Sequence, residues 1–247
     1  MIKNDIREKL IIALDFPTAE KAIELVEKAG DDGIVYKVGL ELFLNSKGQI
    51  IDFLHKKGKK VFLDLKFHDI PNTTAMASLF AAKENVFMYN VHASGGKKMM
   101  TKVCEEARKV NKDTLLIAVT ILTSLSQDEV KETFLTDVTI EELAKNLAKL
   151  AKESGMNGVV CSPWEAKKIK ETLGNDFKTV CPGVRPKWAA TNDQTRIMTP
   201  KNAILNGCDF LVVGRPITKN KDPKQAIKLI LDEIKEGMSE INDNKKC

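Results

Sequence analysis

Cysteine, arginine and long apolar runs are all scarce in this 247-residue sequence. The five cysteines are an odd number and no two have Cys-x-x-Cys spacing, so we expect neither a disulfide framework nor a zinc site. No apolar run approaches the roughly 20 residues of a membrane helix. The N-terminus carries acidic residues and no long apolar stretch follows it, so we expect no secretory signal. These absences predict a cytoplasmic protein.

The net charge of +5 is weak evidence for a nucleic-acid partner. Basic residues are scattered along the chain, and no basic run is interleaved with aromatic residues. Proteins that read nucleic acids favour arginine for its bidentate contacts, but only five of the 39 basic residues here are arginine. We therefore expect a lysine-rich solvated surface, with no nucleic-acid or membrane partner.

The length is awkward for ordinary domains, because at ~150 residues per domain it gives about one and a half. Short apolar runs that alternate with longer amphipathic stretches remove this difficulty, since an α/β barrel uses ~250 residues as one unit. The predicted strands are Leu10–Asp15, Ile34–Gly39, Lys60–Lys66, Val86–Ala93, Thr114–Leu122, Gly158–Ser162, Lys178–Gly183 and Phe210–Arg215.

A helical pattern follows each strand, and the last helix is predicted from about Pro223 to Glu236. Eight such units predict an α/β fold, a (β/α)8 TIM barrel, as a single domain over residues 1–247 with a frayed tail at 242–247. A doubly wound open parallel sheet is the competing fold, because it also has apolar strands covered on both faces.

Charged residues cluster where the second and third predicted strands end, which is where active sites lie in such barrels. Asp64 and Lys66 are two residues apart and are expected to share one face of the strand. Lys37 and Asp69 extend the alternation of charge. Ionised groups beside a core need partners, so the cluster is either a salt-bridge network or a catalytic charge array.

A second group of polar residues follows the last two strands, where phosphate sites often lie in TIM barrels. Gly214 and Arg215 end the eighth predicted strand, and Arg185 and Gln194 belong to the polar segment 184–198. The length of that segment is typical of a lid or binding loop. The alternative for each arginine is an ordinary solvent-exposed position. His68 and His92 also lie at strand ends, and their roles stay open.

Several motifs resemble orotidine 5′-phosphate decarboxylases of the bacterial type, and the resemblance covers essentially the whole chain. The most specific is Asp64–Thr73, DLKFHDIPNT. The others, in the family's order and spacing, are ALD at 13–15, YKVG at 36–39, LTS at 122–124, PGVRP at 182–186, NDQTRIMTP at 192–200 and VVGRPI at 212–217.

The resemblance implies decarboxylation of orotidine 5′-monophosphate to uridine 5′-monophosphate (UMP), the last step of de novo pyrimidine synthesis. It also implies a homodimer with shared active sites that uses neither a metal nor an organic cofactor. Lys66 would protonate C6 of the pyrimidine, and Asp64 would lie beside the departing carboxylate. The other implied site residues are Lys37 and Asp15 at the ribose, Asp69 and Thr73 in the partner's site, Thr123 and Ser124 at the base, Pro182 at the substrate, and Arg185, Gln194, Gly214 and Arg215 at the phosphate.

Two other functions stay open. Mg²⁺-dependent phosphosugar decarboxylases and aldolases on the same barrel share the spacing of Asp64, Lys66 and Asp69, but have a carboxylate where Lys37 stands here. A lysine would repel the metal, so Lys37 favours the metal-free reaction. A non-catalytic barrel that binds a nucleotide is the other alternative, and it has no need of Lys66.

Overall fold

Short apolar runs form the strands, and polar residues follow where each strand ends. A computed structural model describes residues 5–189 and 198–244. Its strands are β1 (Leu10–Ala13), β2 (Val35–Gly39), β3 (Lys60–Phe67), β4 (Met88–His92), β5 (Leu115–Val119), β6 (Gly158–Val160), β7 (Lys178–Cys181) and β8 (Phe210–Val213).

Helices follow every strand, and two of them follow β2, β5 and β8. Short 3-10 helices also occur at Ile6–Lys9 and Ala93–Gly95. The α-helices are α1 (Ala19–Ala29), α2 (Leu40–Asn45), α3 (Gln49–Lys56), α4 (Pro71–Lys83), α5 (Gly96–Val110), α6 (Gln127–Phe134), α7 (Ile140–Glu153), α8 (Pro163–Leu173), α9 (Pro200–Leu205), α10 (Arg215–Thr218) and α11 (Pro223–Asn244).

The strands close into a parallel barrel in chain order, β1 to β8. The β1 strand pairs with both β2 and β8, so the sheet has no free edge there. This closure confirms the predicted (β/α)8 barrel and rules out the open doubly wound sheet. Because the strands are parallel, their carboxyl ends, and the polar residues that follow them, lie at the same end of the barrel.

Several predicted strands extend too far at their carboxyl ends. The β1 strand ends at Ala13 and not at Asp15, and β8 ends at Val213, so Arg215 begins α10. Asp15 and Arg215 therefore lie just beyond the strands, and not at their last positions. The last helix exceeds its predicted end and includes residues 242–244 of the predicted tail, while 245–247 lie outside the described residues.

The described chain divides into two compact units. One is made of the described residues up to Leu65 and from Gly183 onward, and the other is Lys66–Pro182. In the first unit α11 packs against α9 and α1, and in the second α4 packs against α5 and α7 against α8. That residues 1–247 form a single domain stays a prediction. None of the helices in the described ranges is long and apolar enough to cross a membrane.

Candidate active site

Lys37 lies between two carboxylates. Its Nζ is 2.8 Å from Oδ1 of Asp15 and 3.3 Å from Oδ2 of Asp64. The Lys37 and Asp64 side chains are only 12% and 10% exposed, whereas Asp15 is 65% exposed. Three neighbouring strands therefore bring one cation and two anions together at their carboxyl ends, as the sequence predicted for Lys37 and Asp64.

The electrostatics of this cluster favour the ammonium form of Lys37. Burial disfavours its charge, but attraction to Asp64 and Asp15 outweighs burial and raises the pKa of Lys37 above its ordinary value. Lys37 therefore stays positively charged at neutral pH, although its side chain is mostly buried.

Strand register explains why these three side chains meet. Lys37 is paired with Ala13 on β1, two residues before Asp15, and Gly39 is paired with Asp64 on β3. A Cβ atom on Gly39 would lie 3.3 Å from Lys37 Nζ and 3.4 Å from Asp15 Oδ1. Glycine at position 39 therefore leaves the room that the ion pair occupies.

Lys66 has a backbone conformation that the sequence analysis did not anticipate. It lies near the end of β3 with a φ of +52°, in the left-handed region that non-glycine residues rarely adopt. Its backbone N–H donates to Oδ1 of Asn90 at 2.8 Å. The prediction that Asp64 and Lys66 share one face of the strand assumed that side chains alternate regularly between the two faces. That regular alternation ends at Lys66. Asn90 was missed, although a lone amide within the apolar run VFMYNVHA was a usable signal.

Asp69 and Thr73 are exposed where α4 begins. Oδ1 of Asp69 accepts the backbone N–H of Ile70 at 2.6 Å, and its carbonyl accepts the Thr74 hydroxyl at 2.9 Å. These bonds tie the backbone after Lys66 to the first turn of α4. Both residues are exposed, and their role in a partner's site stays a prediction.

The structure describes only some of the residues that were predicted to bind a phosphate. Arg185 is buried after β7, and its backbone N–H donates to the carbonyl of Met198 at 2.9 Å. Gly214 lies beside Asp15, since a Cβ atom there would be 3.8 Å from Asp15 Oδ2, and Arg215 follows it. Gln194 and residues 190–197 as a whole lie outside the described residues. The bridge between Val184 and Met198 joins the two flanks of that segment.

The remaining predicted residues lie in the segments that follow β3, β4, β5 and β7, or at the ends of these strands. Thr123 and Ser124 are exposed in the turn after β5, and Pro182 is partly buried directly after β7. The imidazole rings of His68 and His92 are stacked at a tilt, with centroids 5.2 Å apart. The two histidines therefore contact each other through their rings.

The Lys37 cluster generates a prediction about stability. Replacing Lys37 with methionine leaves Asp64 mostly buried without its cation, so the free energy of unfolding should fall by about 3–5 kcal/mol near neutral pH. Because folding raises the pKa of Lys37, its contribution is fully present below the ordinary value of 10.5 and disappears as pH rises through the folded value. Urea unfolding of both chains at about pH 8 and about pH 11.5 measures this difference.

Lys28→Met is the matched control, because Lys28 pairs with Glu24 at 2.6 Å on an exposed helix face. Exposed pairs contribute little, so this variant should unfold as the unchanged chain does. If Lys37→Met resembled Lys28→Met, or if its effect grew at high pH, the electrostatic account of the cluster would be wrong.

The chain is similar to known proteins over nearly its whole length. The profile of the orotidine 5′-phosphate decarboxylase / HUMPS family matches residues 8–230. Orotidine 5′-phosphate decarboxylase of Saccharophagus degradans is 48% identical over 92% of this chain and 94% of its own, and that of Trichlorobacter lovleyi is 46% identical over 96% and 100%. The crystal structure of the Lactobacillus acidophilus enzyme matches with a TM-score of 0.82 and 39% identity, over 92% of this chain and 99% of that one. The chain belongs to the orotidine 5′-phosphate decarboxylase / HUMPS family.

Proposed function

We propose that this chain decarboxylates orotidine 5′-monophosphate to UMP and CO2, without a metal or an organic cofactor. The observation that carries the proposal is the Lys37 ammonium, held 2.8 Å from Asp15 and 3.3 Å from Asp64, on a family member whose β3 also carries Lys66. Named relatives at 46–48% identity over nearly the whole chain support the same reaction.

The reaction needs a positive charge and a proton at one carbon. When the bond from C6 to the carboxylate breaks, its electron pair stays on C6, where the ring's π-system cannot readily delocalise it. Lys66 as an ammonium stabilises this carbanion and transfers a proton to it, which forms the new C6–H bond. Solvent then returns a proton to Lys66, so the balance is substrate plus one proton giving UMP and CO2.

The carboxylates and Lys37 prepare the site for this step. Asp64 lies beside the carboxylate that departs, and Lys37 fixes Asp64 and contacts the ribose together with Asp15. Such groups act without reorganising during the reaction, which is the main source of electrostatic catalysis. Asp69 of one subunit adds a further carboxylate to its partner's site.

The remote end of the substrate supplies binding energy. Arg215 and Arg185 offer guanidinium donors suited to a phosphate, and Gly214 allows the backbone to approach it closely. Contacts far from C6 can orient the substrate for reaction. The substrate-binding residues we propose beyond the charge cluster are Thr73, Thr123, Ser124, Pro182, Arg185, Gln194, Gly214 and Arg215.

Lys37 separates this function from the Mg²⁺-dependent phosphosugar reactions of related barrels. A divalent cation needs oxygen ligands, and here the two carboxylates converge on an ammonium. A cation placed between them would meet the charge of Lys37 at close range. The phosphosugar reaction is therefore the second candidate, and metal dependence separates the two.

A homodimer is supported by the exposed apolar surface that adjoins Asp69 and Thr73. Ile70 is 68% exposed, and Met76 and Phe80 on α4 are 45% and 39% exposed. Apolar surface of this kind beside a functional residue is typical of an interface. We propose that a second copy covers it, that the two copies share active sites, and that the enzyme works in the cytoplasm with a nucleotide as its only other partner.

The first test of the function is turnover itself. The purified chain with EDTA should convert orotidine 5′-monophosphate, followed by loss of orotate absorbance, and Lys66→Ala should reduce kcat by at least about 10³-fold because it removes the proton donor. Lys83→Ala, at the far end of α4, is the control and should retain full activity. No turnover, or turnover only with Mg²⁺, would reject the proposal.

The phosphate site has its own test. Arg215→Ala should raise KM for orotidine 5′-monophosphate roughly 10–100-fold, because hydrogen bonds to a charged group are lost. Reaction of the unphosphorylated nucleoside should change little, and Arg215→Lys, which keeps the charge without the two-pronged donor, should fall between. Equal losses for both substrates would contradict phosphate binding by Arg215.

Shared active sites can be tested by mixing two inactive chains. Lys66→Ala and Asp69→Ala homodimers should each be nearly inactive. After subunit exchange, a mixed dimer has one site with both residues intact, so about a quarter of the wild-type activity should return. Independent sites within each chain predict no recovery on mixing.

A further inference from the structure

The conformation of Lys66 is unusual for its place in the fold. Three other described non-glycine residues have a positive φ, namely Lys47, Asn85 and Leu135, and each lies where a helix ends. A left-handed residue commonly terminates a helix. Among the described residues, Lys66 alone adopts this conformation within a strand. Such a residue persists only where its surroundings hold it in place.

The Asn90 side chain supplies such a hold. Asn90 lies on β4 and is 0% exposed, and its Oδ1 accepts the backbone N–H of Lys66 at 2.8 Å. A buried backbone N–H needs an acceptor, and an N–H can only donate, so this bond also fixes which way the Asn90 amide points. The bond joins residues 24 positions apart, which no local sequence preference would provide.

We propose that Asn90 is the positioning residue for Lys66, an inference that rests on the proposed function. Proton transfer requires Lys66 Nζ within hydrogen-bond distance of C6, and a displacement of ~1 Å can reduce the rate roughly 100-fold. Asn90 fixes the backbone from which the Lys66 side chain starts. Because Asn90 is wholly buried, it acts through Lys66 and not on the substrate.

A matched control separates positioning from simple stabilisation. The Thr114 hydroxyl donates to the carbonyl of Val86 at 2.9 Å and is 1% exposed, so it is another buried bond from a side chain to the backbone. Thr114 and Val86 precede β5 and β4, at the amino ends of these strands, whereas Lys66 lies near the carboxyl end of β3. Thr114→Val should therefore lower stability without affecting the chemical step.

The experiment compares wild type, Asn90→Leu, Asn90→Asp and Thr114→Val. It measures kcat and KM for orotidine 5′-monophosphate, the Kd for UMP and the urea midpoint. Asn90→Leu should lower kcat roughly 100-fold, with KM and the Kd for UMP within about three-fold. Asn90→Asp keeps an accepting oxygen and should recover at least about ten-fold of that loss. Thr114→Val should keep the wild-type kcat.

Several results would overturn the inference. They are an unchanged kcat in Asn90→Leu, a loss of UMP binding as large as the loss of kcat, no recovery in Asn90→Asp, or an equal loss of kcat in Thr114→Val. If Asn90→Leu does not fold, Asn90→Ala, which removes the acceptor with a smaller side chain, takes its place, and the same loss of kcat with little change in KM and in the Kd for UMP is expected. An inactive wild-type chain would overturn the proposed function as well, whereas an active wild type with an unaffected Asn90→Leu would overturn this inference alone.

Discussion

The contact of one ammonium group with two carboxylates links the carboxyl ends of the first three strands. Lys37 and Asp64 are both mostly buried, and each stabilises the charge of the other. Asp15 is largely exposed and adds a second anion at 2.8 Å. Together the carboxylates overcome the burial of Lys37 and raise its pKa, so the cluster holds its charges before any substrate arrives.

Fixed charges of this kind suit a reaction that proceeds through a localised carbanion. Lys66 follows Asp64 by two residues, so the proton donor that we propose belongs to the strand that also carries the buried carboxylate. Lys66 has a left-handed backbone, and its backbone N–H donates to Oδ1 of the buried Asn90. The register of the strands brings Lys37, Asp15 and Asp64 together.

Much of this could be predicted from the sequence, because local patterns determine it. Apolar runs separated by amphipathic stretches identified all eight strands, and the order of charges near Lys37 and Asp64 identified the cluster. The conformation of Lys66 could not be predicted, since its backbone N–H pairs with Asn90, which lies 24 residues further along the chain. The ends of β1 and β8 were misplaced for a related reason. Asp15 and Arg215 lie outside the hydrogen-bonded strands, and the apolar pattern of the sequence does not show at which residue the hydrogen bonding ends.

The proposed reaction requires an ammonium group at position 66 to supply the proton. Lys66→Cys treated with 2-bromoethylamine carries an ammonium on a side chain of nearly the length of lysine, whereas iodoacetamide leaves a neutral amide. Wild type treated in the same way controls for the other cysteines, of which Cys104, Cys161, Cys181 and Cys208 are buried. Bromoethylamine, but not iodoacetamide, should restore turnover to Lys66→Cys, because only the first reagent restores an ammonium group. Equal results with the two reagents would contradict the proposed role of Lys66.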